Sequence, residues 1–139
     1  MLKKVIIVAL LLLVFPAPAM ADDAALPPFT LHLFAADNDL TYLGKLTTDA
    51  TDPDSVFNIY GPYGNKYSAT CIFNEYGRYG GAYSSYSPFN EYTSSPPYII
   101  CISNSTGRVL GINRLTVNSF IPDSLDPTNM YINLKEFGL

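Results

Sequence analysis

Ser55-Val56-Phe57-Asn58-Ile59-Tyr60-Gly61-Pro62-Tyr63-Gly64-Asn65-Lys66-Tyr67-Ser68 is followed by Cys71-Ile72-Phe73-Asn74-Glu75-Tyr76-Gly77-Arg78-Tyr79-Gly80-Gly81-Ala82-Tyr83-Ser84, and then by Ser87-Pro88-Phe89-Asn90-Glu91-Tyr92-Thr93. Two copies and a truncated third of one unit stand here with a period of 16 residues. Phe57, Phe73 and Phe89 match, as do Asn58, Asn74 and Asn90, and Tyr60, Tyr76 and Tyr92. So many matches in one phase mark a tandem repeat, and tandem units bury their apolar faces against each other. The block, residues 55–94, is too small and irregular to fold alone and must lean on its flanks.

Within each copy the residues suggest one short helical turn. Ser55 and Ser87 stand as N-caps, whose side-chain oxygen accepts an orphan backbone N–H, and Pro88 fits the first helical position. Gly61 and Gly77 then stand where a residue of positive φ stops a turn. On such a turn Phe57 and Tyr60 share a face, as do Phe73 with Tyr76 and Phe89 with Tyr92. The three phenylalanines are therefore expected to be alike in burial.

The flanks alternate. Phe29, Leu31 and Leu33 fall on one side of a strand, and Thr30, His32 and Phe34 on the other. Asp37-Asn38-Asp39 is a turn, and Thr41 to Thr48 is extended again. Tyr98 to Ile102 is β-branched and apolar, Ser103-Asn104-Ser105-Thr106-Gly107 turns, and Arg108 to Val117 is extended. Two hairpins paired into one sheet would relieve the marginal stability of either alone. Asp126-Pro127 opens a short helix over Pro127 to Glu136, with Met130, Leu134 and Phe137 on one face. The expected fold is α+β, mainly antiparallel β: two hairpins forming a sheet, the Tyr/Gly-rich repeat block with short helical turns, and a short C-terminal helix.

The N-terminus has the form of a secretory signal. Lys3 and Lys4 precede the apolar run Val5 to Phe15, and Ala19-Met20-Ala21 offers a cleavage site before Asp22. The run falls short of the about 20 residues that span a bilayer. The reading is a signal peptide over 1–21, one domain over 22–139, periplasmic or secreted, with no transmembrane anchor after cleavage. Without Lys3 and Lys4 there are 6 basic against 12 acidic residues. That balance argues against nucleic acid, which rewards basic patches.

Catalytic material is sparse. The single histidine, His32, lies in a strand with no Gly-x-Ser-x-Gly elbow in the chain. Cys71 stands at a turn start, where a thiolate could be favoured. Asp49, Asp52 and Asp54, and Asp37 with Asp39, have oxygen-ligand spacing but lack the full calcium-loop pattern, and turn chemistry accounts for them. No metal and no cofactor is expected. Export permits a Cys71–Cys101 disulfide, worth about 3–4 kcal/mol in the chain-entropy picture. Two buried free thiols are the alternative.

Eight of the 11 tyrosines lie between Ser55 and Ser94, beside only four charges: Lys66, Glu75, Arg78 and Glu91. Tyrosine packs apolar area and keeps a polar tip. That chemistry serves carbohydrate stacking, peptide binding or self-association, and it equally serves a core built of repeated rings. Tyr63 and Tyr79 are the candidate binding tyrosines. Asn58, Asn74 and Asn90 either tie down the turn backbone or read a ligand.

Asn74-Glu75-Tyr76-Gly77-Arg78-Tyr79-Gly80, Tyr83-Ser84, Ser87-Pro88-Phe89-Asn90-Glu91-Tyr92 and Ser95-Pro96-Pro97 resemble a group of small exported bacterial proteins with tandem Asn-x-Tyr-Gly-x-Tyr-Gly repeats. In that group a Leu-Thr-Val-Asn segment follows, as Leu115-Thr116-Val117-Asn118 does here. The resemblance spans about Leu43 to Leu134; Asn65 and Gly81 depart from it where serine is common. It implies a bacterial source and carries over no catalytic or binding residue. Three functions stay open: an exported binding or interaction module, a structural envelope or matrix protein, and a hydrolase or transferase using His32 or Cys71.

Overall fold

The computed structural model describes residues 27–139; the signal peptide expected over 1–21 lies outside them. Four strands form one antiparallel sheet: β1 (Phe29–Phe34), β2 (Tyr42–Lys45), β3 (Tyr98–Ser103) and β4 (Val109–Arg114), in the order β2-β1-β3-β4. β1 pairs with β2 and with β3, and β3 pairs with β4. The alternation that makes β1 a strand also sets its faces: Leu31 and Leu33 are buried, and Thr30, His32 and Phe34 are half-buried opposite. Asp126 caps a 3-10 turn (Pro127–Asn129) by accepting from the Thr128 N–H, and α1 (Met130–Glu136) follows. Met130 and Leu134 of α1 join Leu31, Leu33, Ile99, Cys101, Leu110 and Leu115 in the core.

The repeat block docks onto this frame through its first residues. The Lys45 N–H donates to the Asp54 carbonyl and the Val56 N–H to the Lys45 carbonyl. Gly44 lies at the junction with φ +115°, and a Cβ there would come 2.7 Å from the Tyr63 Cβ. The corresponding residues Val56, Ile72 and Pro88 of the three copies are all buried.

The expected helical turns are absent. Residues 55–94 contain no helix, and the chain runs through consecutive hydrogen-bonded turns. From Asn58 to Asn74 there are five, closing at residues 61, 65, 68, 71 and 74; from Asn74 to Asn90 five more close at 77, 81, 84, 87 and 90. Four three-residue steps and one four-residue step make up the period of 16. Side chains explain the departure from helix. Asn58, Asn65, Ser68, Cys71, Asn74, Ser84, Ser87 and Asn90 each accept from the backbone N–H two residues on. Short polar side chains that claim nearby N–H groups compete with the helical ladder. Ser55 and Ser87 therefore hold turns and cap no helix.

Gly61 and Gly77 also differ from expectation, because neither has positive φ; among the described glycines only Gly44, Gly107 and Gly138 do. Space is what they supply. A Cβ on Gly77 would sit 3.1 Å from the Asn74 amide, and one on Gly61 2.8 Å from the Pro53 carbonyl oxygen. Gly64 and Gly80 are tighter still, with a Cβ falling 2.1 Å from the Asn58 oxygen and 2.3 Å from the Asn74 oxygen.

Candidate functional site: a repeated aromatic surface

The repeat asparagines are structural fasteners. Asn58 Nδ2 donates to the Asp52 carbonyl at 3.1 Å, Asn74 Nδ2 to Ser68 at 3.0 Å and Asn90 Nδ2 to Ser84 at 3.0 Å. In each, Oδ1 accepts from the tyrosine two residues on: Tyr60, Tyr76 and Tyr92. Both ends of each amide are thus engaged within the turns, and the following aromatic is thrown outward.

The copies adjoin one another through their phenylalanines. Ring centroids lie 5.9 Å apart for Phe57–Phe73 and 6.1 Å for Phe73–Phe89, and Tyr131 of α1 meets Phe57 edge-on at 5.0 Å. All three phenylalanines are half-buried, as their equal places in the period require.

The repeat tyrosines differ widely in exposure. Tyr60, Tyr67, Tyr76, Tyr83 and Tyr92 are 92, 79, 97, 98 and 82% exposed, whereas Tyr79 is 7% exposed. Tyr79 belongs to the core: its hydroxyl donates to Asp37 Oδ2 at 2.7 Å. Tyr63 is half-buried and packs edge-on against Tyr42 at 5.1 Å. The outward rings are thus those two residues after Asn58, Asn65, Asn74 and Asn90, together with Tyr83.

Between copies run clefts related by the same step of 16. One, of about 550 Å³, is lined by Phe57, Ile59, Gly64, Lys66, Tyr67 and Phe73. The next, of about 630 Å³, is lined by Phe73, Glu75, Gly80, Ala82, Tyr83 and Phe89, the same positions one copy on. A third, of about 300 Å³, has Tyr83, Phe89, Glu91 and Tyr92 in its walls.

One member of this surface lies outside the tandem block. Asn118 Oδ1 accepts from the Phe120 N–H, its Nδ2 donates to the Thr93 carbonyl, and the neighbouring Val117 N–H donates to the Pro88 carbonyl. This is a fourth turn of the same kind, docked on the third copy, with Phe120 84% exposed two residues after the asparagine. The signal was an Asn-x-aromatic triplet after Leu115-Thr116-Val117, which resemblance singled out but periodicity did not.

His32, Cys71 and Cys101 line none of these clefts. His32 Nδ1 lies 2.9 Å from the Tyr42 hydroxyl, and burial together with the Lys45 charge lowers its pKa against the pull of Asp54 and Asp52. Asp52 pairs with Lys45 at 2.7 Å. Cys71 and Cys101 are buried and unbridged. Burial raises the Cys71 thiol above its usual range despite the Phe73 and Asn74 N–H groups, and pushes Cys101 up to about 11. A thiol so held is a poor nucleophile at neutral pH. Asp49 and Asp52 bind the N–H groups of Thr51 and Asp54 in ordinary Asx turns. Among the described residues no helix is long and apolar enough to cross a membrane.

Comparison with protein families, with curated proteins and with solved structures found no match.

Proposed function

We propose that this chain is an exported, non-catalytic interaction module whose working surface is the row of outward tyrosines on the repeat block. The observation that carries this reading is the near-complete exposure of Tyr60, Tyr67, Tyr76, Tyr83 and Tyr92 at repeating positions. Burying one of these rings would gain area at the cost of only two torsions. A repeat kept only for internal packing would turn them inward, and contiguous exposed apolar surface marks interaction sites. The raised thiol of Cys71 and the engagement of His32 with Tyr42 favour binding over the hydrolase or transferase reading. Export rests on Lys3, Lys4, the run Val5 to Phe15 and Ala19-Met20-Ala21.

The test is retention of purified protein on envelope fractions of a bacterial host. Tyr76→Ala/Tyr83→Ala is expected to keep its melting temperature and lose retention. Undiminished retention of that variant would contradict the reading.

A further inference from the structure

We infer that the ligand of this surface is an uncharged polysaccharide lying across the copies, with successive sugar units of one chain against successive clefts; this rests on the tyrosine surface being the working one. Four observations converge. The site repeats. Phe57, Gly64 and Tyr67 in one cleft are replaced by Phe73, Gly80 and Tyr83 in the next. A surface that presents one arrangement again at each step fits a ligand that does the same, so the partner is a polymer.

Charge is not constant along the row. Ile59 in the first cleft corresponds to Glu75 in the second, and Lys66 to Ala82. Glu91 in the third repeats the position of Glu75. A polyanion would meet a lysine in the first cleft and carboxylates in the next two. A polycation would meet the lysine first. A neutral chain sees the part that is constant, which is aromatic.

The backbone is already engaged. The N–H groups of Tyr67, Phe73, Tyr76, Phe89 and Tyr92 are held by Asn, Cys and Ser side chains of their own turns. An extended peptide that binds by strand addition needs an unbroken row of free N–H and C=O groups, and these held N–H groups interrupt that row in each copy. What it still offers is ring faces, phenolic hydroxyls and scattered carboxylates. The C–H face of a pyranose packs flat on such a ring, while its hydroxyls reach the polar tips and carboxylates at the margin.

Rigidity agrees with this use. Gly80 lies against the Asn74 oxygen so closely that even a methyl group would collide. The cleft floor is thereby fixed before any ligand arrives, which lowers the ordering cost of binding.

The experiment is titration calorimetry on the full mature chain with neutral glucan, galactan and N-acetylglucosamine oligomers graded from disaccharide to octasaccharide. Alginate and dextran sulfate serve as charged counterparts. At least one neutral series should bind, with affinity rising roughly tenfold or more from its shortest to its longest member as more clefts are filled. Raising the salt should change that affinity little. Tyr76→Ala/Tyr83→Ala should lower it at least about tenfold, about 1.4 kcal/mol, while Tyr76→Phe/Tyr83→Phe should keep most of it. Equal or tighter binding of the charged polymers overturns the inference. So does a tyrosine-dependent dimer in sedimentation with no glycan bound, which would name a second copy as the occupant. Tyrosine-dependent envelope retention that no neutral oligomer competes away overturns the glycan class and leaves the tyrosine surface standing. Retention independent of the tyrosines removes both.

Discussion

The Tyr79 hydroxyl donates to Asp37 Oδ2 at 2.7 Å, joining the β1–β2 connection to the second repeat copy across 42 positions of sequence. Asp37 also accepts from the Thr41 N–H at 3.0 Å and the Thr41 hydroxyl at 2.8 Å. Burial raises the carboxyl, but the bonds from Thr41 and Tyr79 and the Arg78 charge outweigh it and bring Asp37 from the usual 3.8 to about 2. A carboxyl depressed by folding adds stability that is fully present above its unfolded value and lost as pH falls through the folded one. Stability should therefore fall between pH 3.8 and about 2. Tyr79→Phe and Asp37→Asn should each flatten that acid limb in denaturant titrations across pH.

Gly80→Ala should destabilise by about 1–3 kcal/mol or more, because the added methyl meets backbone that cannot turn aside. Gly107→Ala is the control: its surroundings are open and only φ +69° opposes the change, so about 1 kcal/mol is expected. Paired thermal melts check the order. A smaller loss at Gly80 would mean that the turns of the second copy do not close as described.

Asn74→Ala removes the donor to Ser68 and the acceptor for Tyr76 together. A loss of about 1–3 kcal/mol is expected, as for other groups left without a partner. Asn74→Asp keeps the acceptor but sets a carboxylate against a carbonyl oxygen, and should be no better tolerated. Tyr76→Ala, two residues away and 97% exposed, should stay within about 0.5 kcal/mol of the parent. Urea unfolding of the three variants reads these differences.

The two thiols should respond differently to serine. Cys71 accepts from the Phe73 N–H at 3.4 Å, as Ser55 and Ser87 do from Phe57 and Phe89 at 3.1 Å, so Cys71→Ser restores the side chain of the other copies and should cost little. Cys101 lies in β3 with no hydrogen-bond partner to offer a hydroxyl, and Cys101→Ser should cost about 1–3 kcal/mol. In the native protein neither thiol should alkylate at neutral pH. After unfolding without reductant, two reactive thiols correspond to the unbridged pair of the structure and none to a bridged one.

The sheet and helix were legible because their patterns are local. The alternation of Phe29 to Phe34 puts Leu31 and Leu33 inward, and the spacing of Met130 and Leu134 buries both. The period of 16 was equally plain. The conformation inside the period was harder to read. Ser55 and Ser87 have the chemistry of a helix cap and of a three-residue turn alike. The deciding pattern was an acceptor at every third position, such as Ser68, Cys71 and Asn74, which turns the chain again before a helix can propagate. Gly61 and Gly77 have the sequence place of a positive-φ residue that stops a turn, whereas close contacts with Pro53 and Asn74 are what require glycine there. Tyr79 could not be told from Tyr76 by its copy alone, since its burial depends on Asp37 far upstream. Phe120 escaped the period because its turn sits after β4.

The most direct test of the outward-tyrosine surface is acetylation of tyrosine by N-acetylimidazole, mapped by mass spectrometry in the free protein and in protein retained on envelope. In the free protein Tyr60, Tyr67, Tyr76, Tyr83 and Tyr92 should react rapidly while Tyr79 resists. On envelope Tyr76 and Tyr83 should become protected, with Tyr131 at the far side of Phe57 changing little. Rapid acetylation of Tyr79, or Tyr76 and Tyr83 reacting equally fast free and retained, would contradict the account.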